Sequence, residues 1–355
     1  MAEELKIILE PIESTPEIEV QTEKRKKHKQ KLIFQEPGIN TLLTMNPKRA
    51  ETIDTSQNTG SNTAIVTSPR NAGYIELSNY EAGSMVLNDA VFDTLVILLD
   101  KLTNEGMKTN NLGEKYLHLT VNEYMLITNT RDRKEAKKRL EKAISFLTAT
   151  MVPDYNPKKN TTEKGEIVKN LIPISDYASF YKNGDVDFYF KPAYIEKLIE
   201  TNFRMYFTWS VLRKRSNSFQ YTRTLGYYIS LMKRENVGTT REDIIKLQTL
   251  LERGGLPTYE KTKASGRHFE EEIIKPFEKN MDAIEEFTWH YCDSKGRAWK
   301  EEFLPITAKN FFRSDMYIKI TWKDYPDSRK KLIEEKEKQK KIAAKKKGKT
   351  IEKRG

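Results

Sequence analysis

Apolar residues recur at helical spacing from position 91 onward. Val91, Leu95, Leu98, Leu99 and Leu102 share one face of a helix that Asn88 is placed to cap and Gly106 to end. Positions 116–120 alternate as a short strand. Thr120-x-x-Glu123 then reads as a capping box in front of a short helix carrying Val121, Tyr124, Met125 and Ile127 on one side. After the turn Thr128-Asn129-Thr130, a long helix buries Ala136, Leu140, Ala143, Ile144, Leu147 and Met151. Its other face is almost wholly Lys, Arg and Glu. Two strand-like runs, 167–174 and 186–190, are joined by a loop ending in Asn183-Gly184 and predict a hairpin. A helix over 192–199 and a strand over 204–209 follow.

The same order returns about 120 residues later. Leu225, Tyr228, Ile229 and Met232 line a helix that ends at Asn236-Val237-Gly238. Thr239-x-x-Glu242 predicts the start of a second helix, with Ile244, Leu247, Leu250 and Leu251 inside and Gly254-Gly255 as its stop. A loop with Lys261 and Lys263 leads to a third helix starting near Ser265, whose buried stripe is Phe269, Ile273, Ile274, Phe277 and Met281. Pro276 falls inside that stripe, where it removes a hydrogen bond and bends the helix. The runs 287–292 and 298–304, joined by Asp293-Ser294-Lys295-Gly296, predict a second hairpin, and 317–322 alternates as a third strand.

Helix, helix, basic helix and hairpin is the order of a winged helix-turn-helix. The pattern therefore predicts an α+β chain with two tandem winged helix-turn-helix domains, over 86–213 and 214–325. Ahead of them, Pro11, Pro16, Pro37, Pro47, Pro69 and the polar stretch 54–63 predict a mostly disordered arm over 1–85, with edge strands only near 31–34 and 74–77. Beyond Pro326 a Lys/Glu run predicts a fraying helix that ends in a disordered basic tail, the segment as a whole spanning 326–355.

Composition narrows the function. Hydrophobic residues make up 37% of the 355 and charged residues 32%, which suits modest cores and a solvated surface. No apolar run is long enough for a membrane span. The acidic start, 1–11, lacks the pattern of a signal peptide. A single cysteine, Cys292, excludes a disulfide framework and a Cys-based zinc site. These features predict a cytoplasmic protein without a metal or cofactor. The net charge of +11 is uneven: residues 329–355 hold +9, 24–31 hold +6 and 1–23 hold −6, leaving 32–328 near +2. Specific recognition of a polyanion must then come from particular helices rather than from overall charge.

Two helices supply such concentrations. Arg131, Arg133, Lys134, Lys137 and Lys138 would enter one major groove of duplex DNA, and Lys261, Lys263, Ser265, Arg267 and His268 the next. Glu270–Glu272 follow the second set, as in a helix inserted by its first turn. Lys295 and Arg297 on the second wing would touch phosphate or the minor groove. Catalytic readings are weaker. Gly348-Lys349-Thr350 imitates the end of a phosphate-binding loop, but Ala343 stands where the leading glycine belongs. Asp185-x-Asp187 has metal-ligand spacing, yet Asn183-Gly184 explains Asp185 as turn chemistry. His28, His118, His268 and His290 form no His-x-His pair. The aromatics of 177–209 are expected mainly in a sheet core or interface rather than on a platform for single strands.

The chain resembles the iteron-binding replication initiator proteins of plasmids over about 88–323. The resemblance is carried by Leu119-Thr120-x-x-Glu123-Tyr124, by Asn183-Gly184-Asp185-Val186-Asp187-Phe188-Tyr189-Phe190, by Thr224-Leu225-Gly226-Tyr227-Tyr228, and by Phe269-x-x-x-Ile273-Ile274-Lys275-Pro276. In that family the second recognition helix likewise holds a proline. The resemblance implies a non-enzymatic initiator that binds directly repeated origin sites as a monomer, helps melt adjacent DNA, recruits host initiator or helicase proteins, and forms a repressing homodimer through its first winged helix. The long N-terminal arm and the basic tail depart from the family. A transcription or partition regulator that does not open DNA, and a metal-dependent primase or nuclease built on Asp185 and Asp187, are the alternatives.

Overall fold

The computed structural model describes residues 32–34, 51–54, 63–67, 74–78, 88–153, 161–162, 165–166, 171–201, 204–214, 217–264, 268–299, 311–323, 329–334 and 336–337. Helix and sheet are mixed throughout. Among the described residues, four strands precede the first described helix: β1 (Leu32–Phe34), β2 (Glu51–Asp54), β3 (Thr63–Thr67) and β4 (Tyr74–Ser78). The predicted arm 1–85 thus contributes more than two edge strands. β2, β3 and β4 pair antiparallel, and Ala64, Ile75 and Leu77 are buried. Their partner strand lies far along the chain, so short runs of this kind carry no local sign of it.

Helix α1 (Asp89–Asn104) opens where expected. The Asn88 side chain accepts from the N–H groups of Ala90 and Val91 at 2.8 and 3.3 Å, and Val91, Leu95, Leu98 and Leu99 are buried. Strands β5 (Lys108–Thr109) and β6 (Lys115–Leu119) lead to α2 (Val121–Thr128), whose Thr120–Glu123 capping box is complete. Helix α3 (Arg133–Ala149) starts from Asp132 and runs directly into β7 (Thr150–Pro153), so Met151 is a strand residue. After β8 (Thr161–Thr162) and β9 (Gly165–Glu166) come β10 (Leu171–Pro173), β11 (Ser175–Phe180) and β12 (Val186–Phe190). The hairpin partner of β12 is β11, not the predicted run 167–174. The more apolar β10 pairs with β7 in a five-stranded sheet ordered β10-β7-β4-β3-β2. Next are α4 (Pro192–Thr201) and β13 (Arg204–Tyr206), which pairs with β1. The predicted strand over 204–209 stops at Tyr206, and 209–213 form a 3-10 turn.

The second unit follows with α5 (Thr222–Asn236), β14 (Ile244–Lys246), α6 (Leu247–Gly254) and α7 (Tyr259–Ala264). A π turn over Glu270–Ile274 runs into α8 (Lys275–Asp282), and β15 (Phe287–Cys292) and β16 (Tyr317–Trp322) follow. The structure corrects three expectations in this unit. Thr239-x-x-Glu242 opens no helix. Ile244 is a strand residue. The principal hairpin partner of β15 is β16, with Ala298 adding a single bridge to Cys292; 300–310 lie outside the described residues. With β14 in place, and leaving aside β5 and β7–β10 in the first unit and α7 in the second, the two units share one connectivity as far as β12 and β16: helix, strand, helix, helix, two strands. Their sheets share one order, first strand beside third beside second (β6-β12-β11 and β14-β16-β15).

Charge chemistry explains why Glu242 does not cap a helix. Lys233, on the last turn of α5, has a side chain only 1% exposed. Its ammonium donates to Glu242 Oε1 at 3.0 Å and to both Asp243 oxygens at 2.8 Å. Arg329 grips Glu242 through two hydrogen bonds of 2.9 and 3.0 Å, and the Gly238 N–H donates to it at 2.8 Å. Trp322 Nε1 completes the cluster on Asp243. An ammonium leaves water only with such a set of acceptors. The cluster also ties down the helix expected beyond Pro326: 329–334 are helical, Leu332 is buried, and Lys336 donates to the carbonyls of Glu235 and Val237. Residues 338–355 lie outside the described residues.

Burial alone would raise the Glu242 pKa, but Arg329, the Gly238 N–H and Lys233 outweigh it and hold the carboxyl at about 2. A depressed carboxyl stabilises the fold fully above its unfolded pKa and loses that contribution as pH falls through the folded value. Stability should therefore decline between about pH 4.5 and pH 2. Denaturant titrations of Glu242→Gln across that window check it: the variant should be less stable at neutral pH and show a shallower acid loss.

Candidate nucleic-acid interface

Helix α3 buries Ala136, Leu140, Ala143, Ile144 and Leu147 and turns its charged face outward. Lys134, Lys138 and Lys142 recur every four residues on that face, with Arg131 just ahead of the helix, and all four are exposed. None makes a hydrogen bond or ion pair among the described residues. Glu135 and Arg139 pair with each other at 2.6 Å, and the Arg139 guanidinium lowers the Glu135 pKa.

Arg133 and Lys137 are placed differently. The Arg133 guanidinium donates to the Asn122 side chain and, at 3.0 Å, to the carbonyl of Asn183; Lys137 donates to the carbonyl of Lys182 at 2.9 Å. Both fasten the turn of the β11–β12 hairpin to the face of α3. The same turn is held from the other side, since Asp185 Oδ1 accepts from the Val121 N–H at the start of α2 at 2.9 Å. Between these ties sits Gly184, at φ +95, a conformation that L side chains rarely adopt. The turn between α2 and α3 is equally fixed: Asn129 adopts φ 52, and the hydroxyls of Thr128 and Thr130 meet at 2.8 Å.

The carboxylates with metal-ligand spacing are engaged separately. Asp185 accepts from Val121 and from the Asn183 amide, while Asp187, buried, contacts His118 Nδ1 and accepts from the Tyr181 hydroxyl, both at 2.6 Å. Among the described residues, no group of three or more His, Cys, Asp or Glu is placed to hold a metal ion. No described helix is long and apolar enough to cross a membrane.

In the second unit Lys261 lies on α7, and Lys263, on the same helix, is exposed. Ser265 and Arg267 lie outside the described residues. His268 is exposed immediately before the third helix, which begins at Phe269 rather than near Ser265. Behind it, Glu271 and Glu270 pair with Lys275 at 2.6 and 3.3 Å. Lys295 is exposed at the tip of the second hairpin. Arg297 is paired with Asp293, whose pKa the Arg297 N–H and side chain lower. Pro276 stands at the front of α8, directly after the π turn.

Lys142 and Lys182 are exposed beside the first set and were not among the predicted contacts. The four-residue repeat from Lys134 through Lys138 was the signal for Lys142. The aromatic run divides: Phe188, Phe190, Tyr194, Tyr206, Phe207 and Trp209 are buried, whereas Tyr177, Phe180 and Tyr181 are exposed on the hairpin.

No protein-family model and no curated protein sequence matches the chain. Solved structures do. One similar structure is the Pi initiator protein in complex with iteron DNA. It is 14% identical with a TM-score of 0.39, and the match covers 67% of this chain and 90% of that one. Two structures of domains 2 and 3 of RctB are also similar, at 10% and 11% identity and TM-scores of 0.42 and 0.43. They cover 78% and 83% of this chain and 91% and 99% of theirs.

The anchored hairpin turn can be tested directly. A Cβ on Gly184 would lie 2.8 Å from Val121 Cγ2 and 3.0 Å from Lys137 Cδ, in a backbone conformation that strains any L residue. Gly184→Ala should cost about 1–3 kcal/mol of stability, read as a lowered midpoint in urea. An unchanged midpoint would show that the turn is not held as described.

Proposed function

We propose that this chain is a sequence-specific, double-stranded-DNA-binding replication initiator. It reads repeated sites through two winged-helix units, 86–213 and 214–325. The observation that carries the reading is the first basic helix. Lys134, Lys138 and Lys142 stand exposed on one side of α3 and Arg131 just ahead of it, with no ion pair among the described residues, beside a hairpin whose turn is pinned to that helix. Cations in such a setting can neutralise phosphate or reach base edges. The shared strand order of the two units supports reading both as winged helices. Lys261, Lys263, Ser265, Arg267 and His268 are the second contact set, with Lys295 and Arg297 on its wing. Binding to repeated sites would promote local melting and bring host replication proteins to the origin, and a homodimer through the first unit would restrain this.

Footprinting on the DNA flanking the gene, with a reagent that also marks unpaired thymines, tests the reading. Protected direct repeats beside a reactive A·T-rich stretch are expected. A single protected inverted site without unpaired bases would make the protein a regulator, and no protection would overturn DNA recognition. The double variant Lys134→Ala/Lys138→Ala should reduce the slope of log K against log salt by about 0.9 for each phosphate that these two lysines neutralise. An identical slope in the two proteins would remove this helix face from the interface.

A further inference from the structure

Arg223, near the start of α5, reaches across to α1 in the first unit. Its guanidinium meets Asp89 at 2.7 Å and Asp93 at 3.0 Å, the latter across 130 positions of the chain. The Asp93 side chain is fully buried, and the Arg223 side chain is only 10% exposed. The guanidinium also lies 5.8 Å from the centre of the Phe92 ring. Phe92 in turn packs edge-on to Tyr227 of α5 at 5.8 Å.

Apolar contact between two helices tolerates small slides and rotations, because burial has no preferred direction. A guanidinium between two carboxylates does not: its planar fork fits one arrangement, and any other leaves a buried charge unpaired. Helix α1 packs on α2 and α3, and α5 packs on α6 and α8. The angle between α1 and α5 therefore sets where one basic helix stands relative to the other. We infer that Arg223, with Asp89 and Asp93, is a positioning residue that fixes the relative placement of the two DNA-reading units, and hence the spacing between half-sites that the protein accepts. This rests on the DNA-binding reading above.

Distance and binding measurements on the full chain separate the two claims. Cysteines at Glu141 on α3 and Ser294 on the second hairpin, both exposed, carry spin labels; Cys292 is buried and its thiol is pushed up to about 12 by burial, so it stays unlabelled. Pulsed distance measurements compare the labelled protein with Asp93→Leu/Arg223→Met, which replaces the pair by apolar groups, and with Arg223→Lys, which keeps the charge but not the fork. Both variants are checked for native circular dichroism. Each folded variant should give a distance distribution about twice as broad. The discrimination between native sites and sites lengthened or shortened by one base pair should fall about tenfold. An unchanged distribution in both folded variants overturns the positioning role, and a broadened distribution with unchanged discrimination overturns the specificity role. Failure of the unaltered protein to bind any duplex overturns the DNA reading and leaves the distance result standing on its own.

Discussion

A charged group can be buried in this protein only where its partners are brought to it, and that requirement shapes the join between the two halves. Arg223 is held by acidic residues of a helix more than a hundred positions earlier in the chain. Around these ion pairs the apolar core runs without interruption from α1 through Phe207 and Trp209 to α5 and α8. Another carboxylate, Glu286 at the entry to β15, accepts from the backbone N–H and hydroxyl of Ser210, and burial raises its pKa. Within the second unit, Asn280 is matched in the same way. Its side-chain oxygen accepts from Tyr221 N–H and the Thr222 hydroxyl, and its amide donates to the carbonyls of Ser218 and Pro276. The carboxylate of Glu286 and the amide of Asn280 are matched in this way, as burial demands.

The first basic face shows a division of labour among chemically similar residues. Arg133 and Lys137 direct their donors to carbonyls of the hairpin turn, while Lys134, Lys138 and Lys142 meet water. One set shapes the surface and the other supplies its field. Because α3, α2 and the turn are linked through Asn122, Asp185 and these cations, the helix and the hairpin present a single preformed surface. Preorganisation of this kind reduces the ordering cost that recognition would otherwise carry.

Local signals in the sequence proved legible wherever the physics was local. The Asn88 cap, the Thr120–Glu123 box and the apolar stripe of α3 stand as the spacing implied, because each depends on residues within one or two helical turns. Thr239-x-x-Glu242 carries the same pattern and fails, because distant Arg329 and the buried Lys233 claim the Glu242 carboxylate first. Strands were less legible. β11 reads as polar because one of its faces meets solvent, and β2 and β3 find partners only through a sheet that includes β7 and β10. At the candidate interface, residue type identified the cations; which of them would be tied down depended on a turn fifty residues away.

Pro276 illustrates how one residue without an N–H alters a helix beyond its own position. The chain widens to a π turn just before it, and the Lys275 N–H reaches back to the Glu270 carbonyl, five residues earlier. One added residue in a helix that advances about 100° per residue rotates everything upstream by that angle relative to an unbroken helix. His268 and Phe269 therefore face a direction that a regular helix through α8 would not give them. Replacing the proline would concern not only the straightness of the helix but the compass bearing of its leading end.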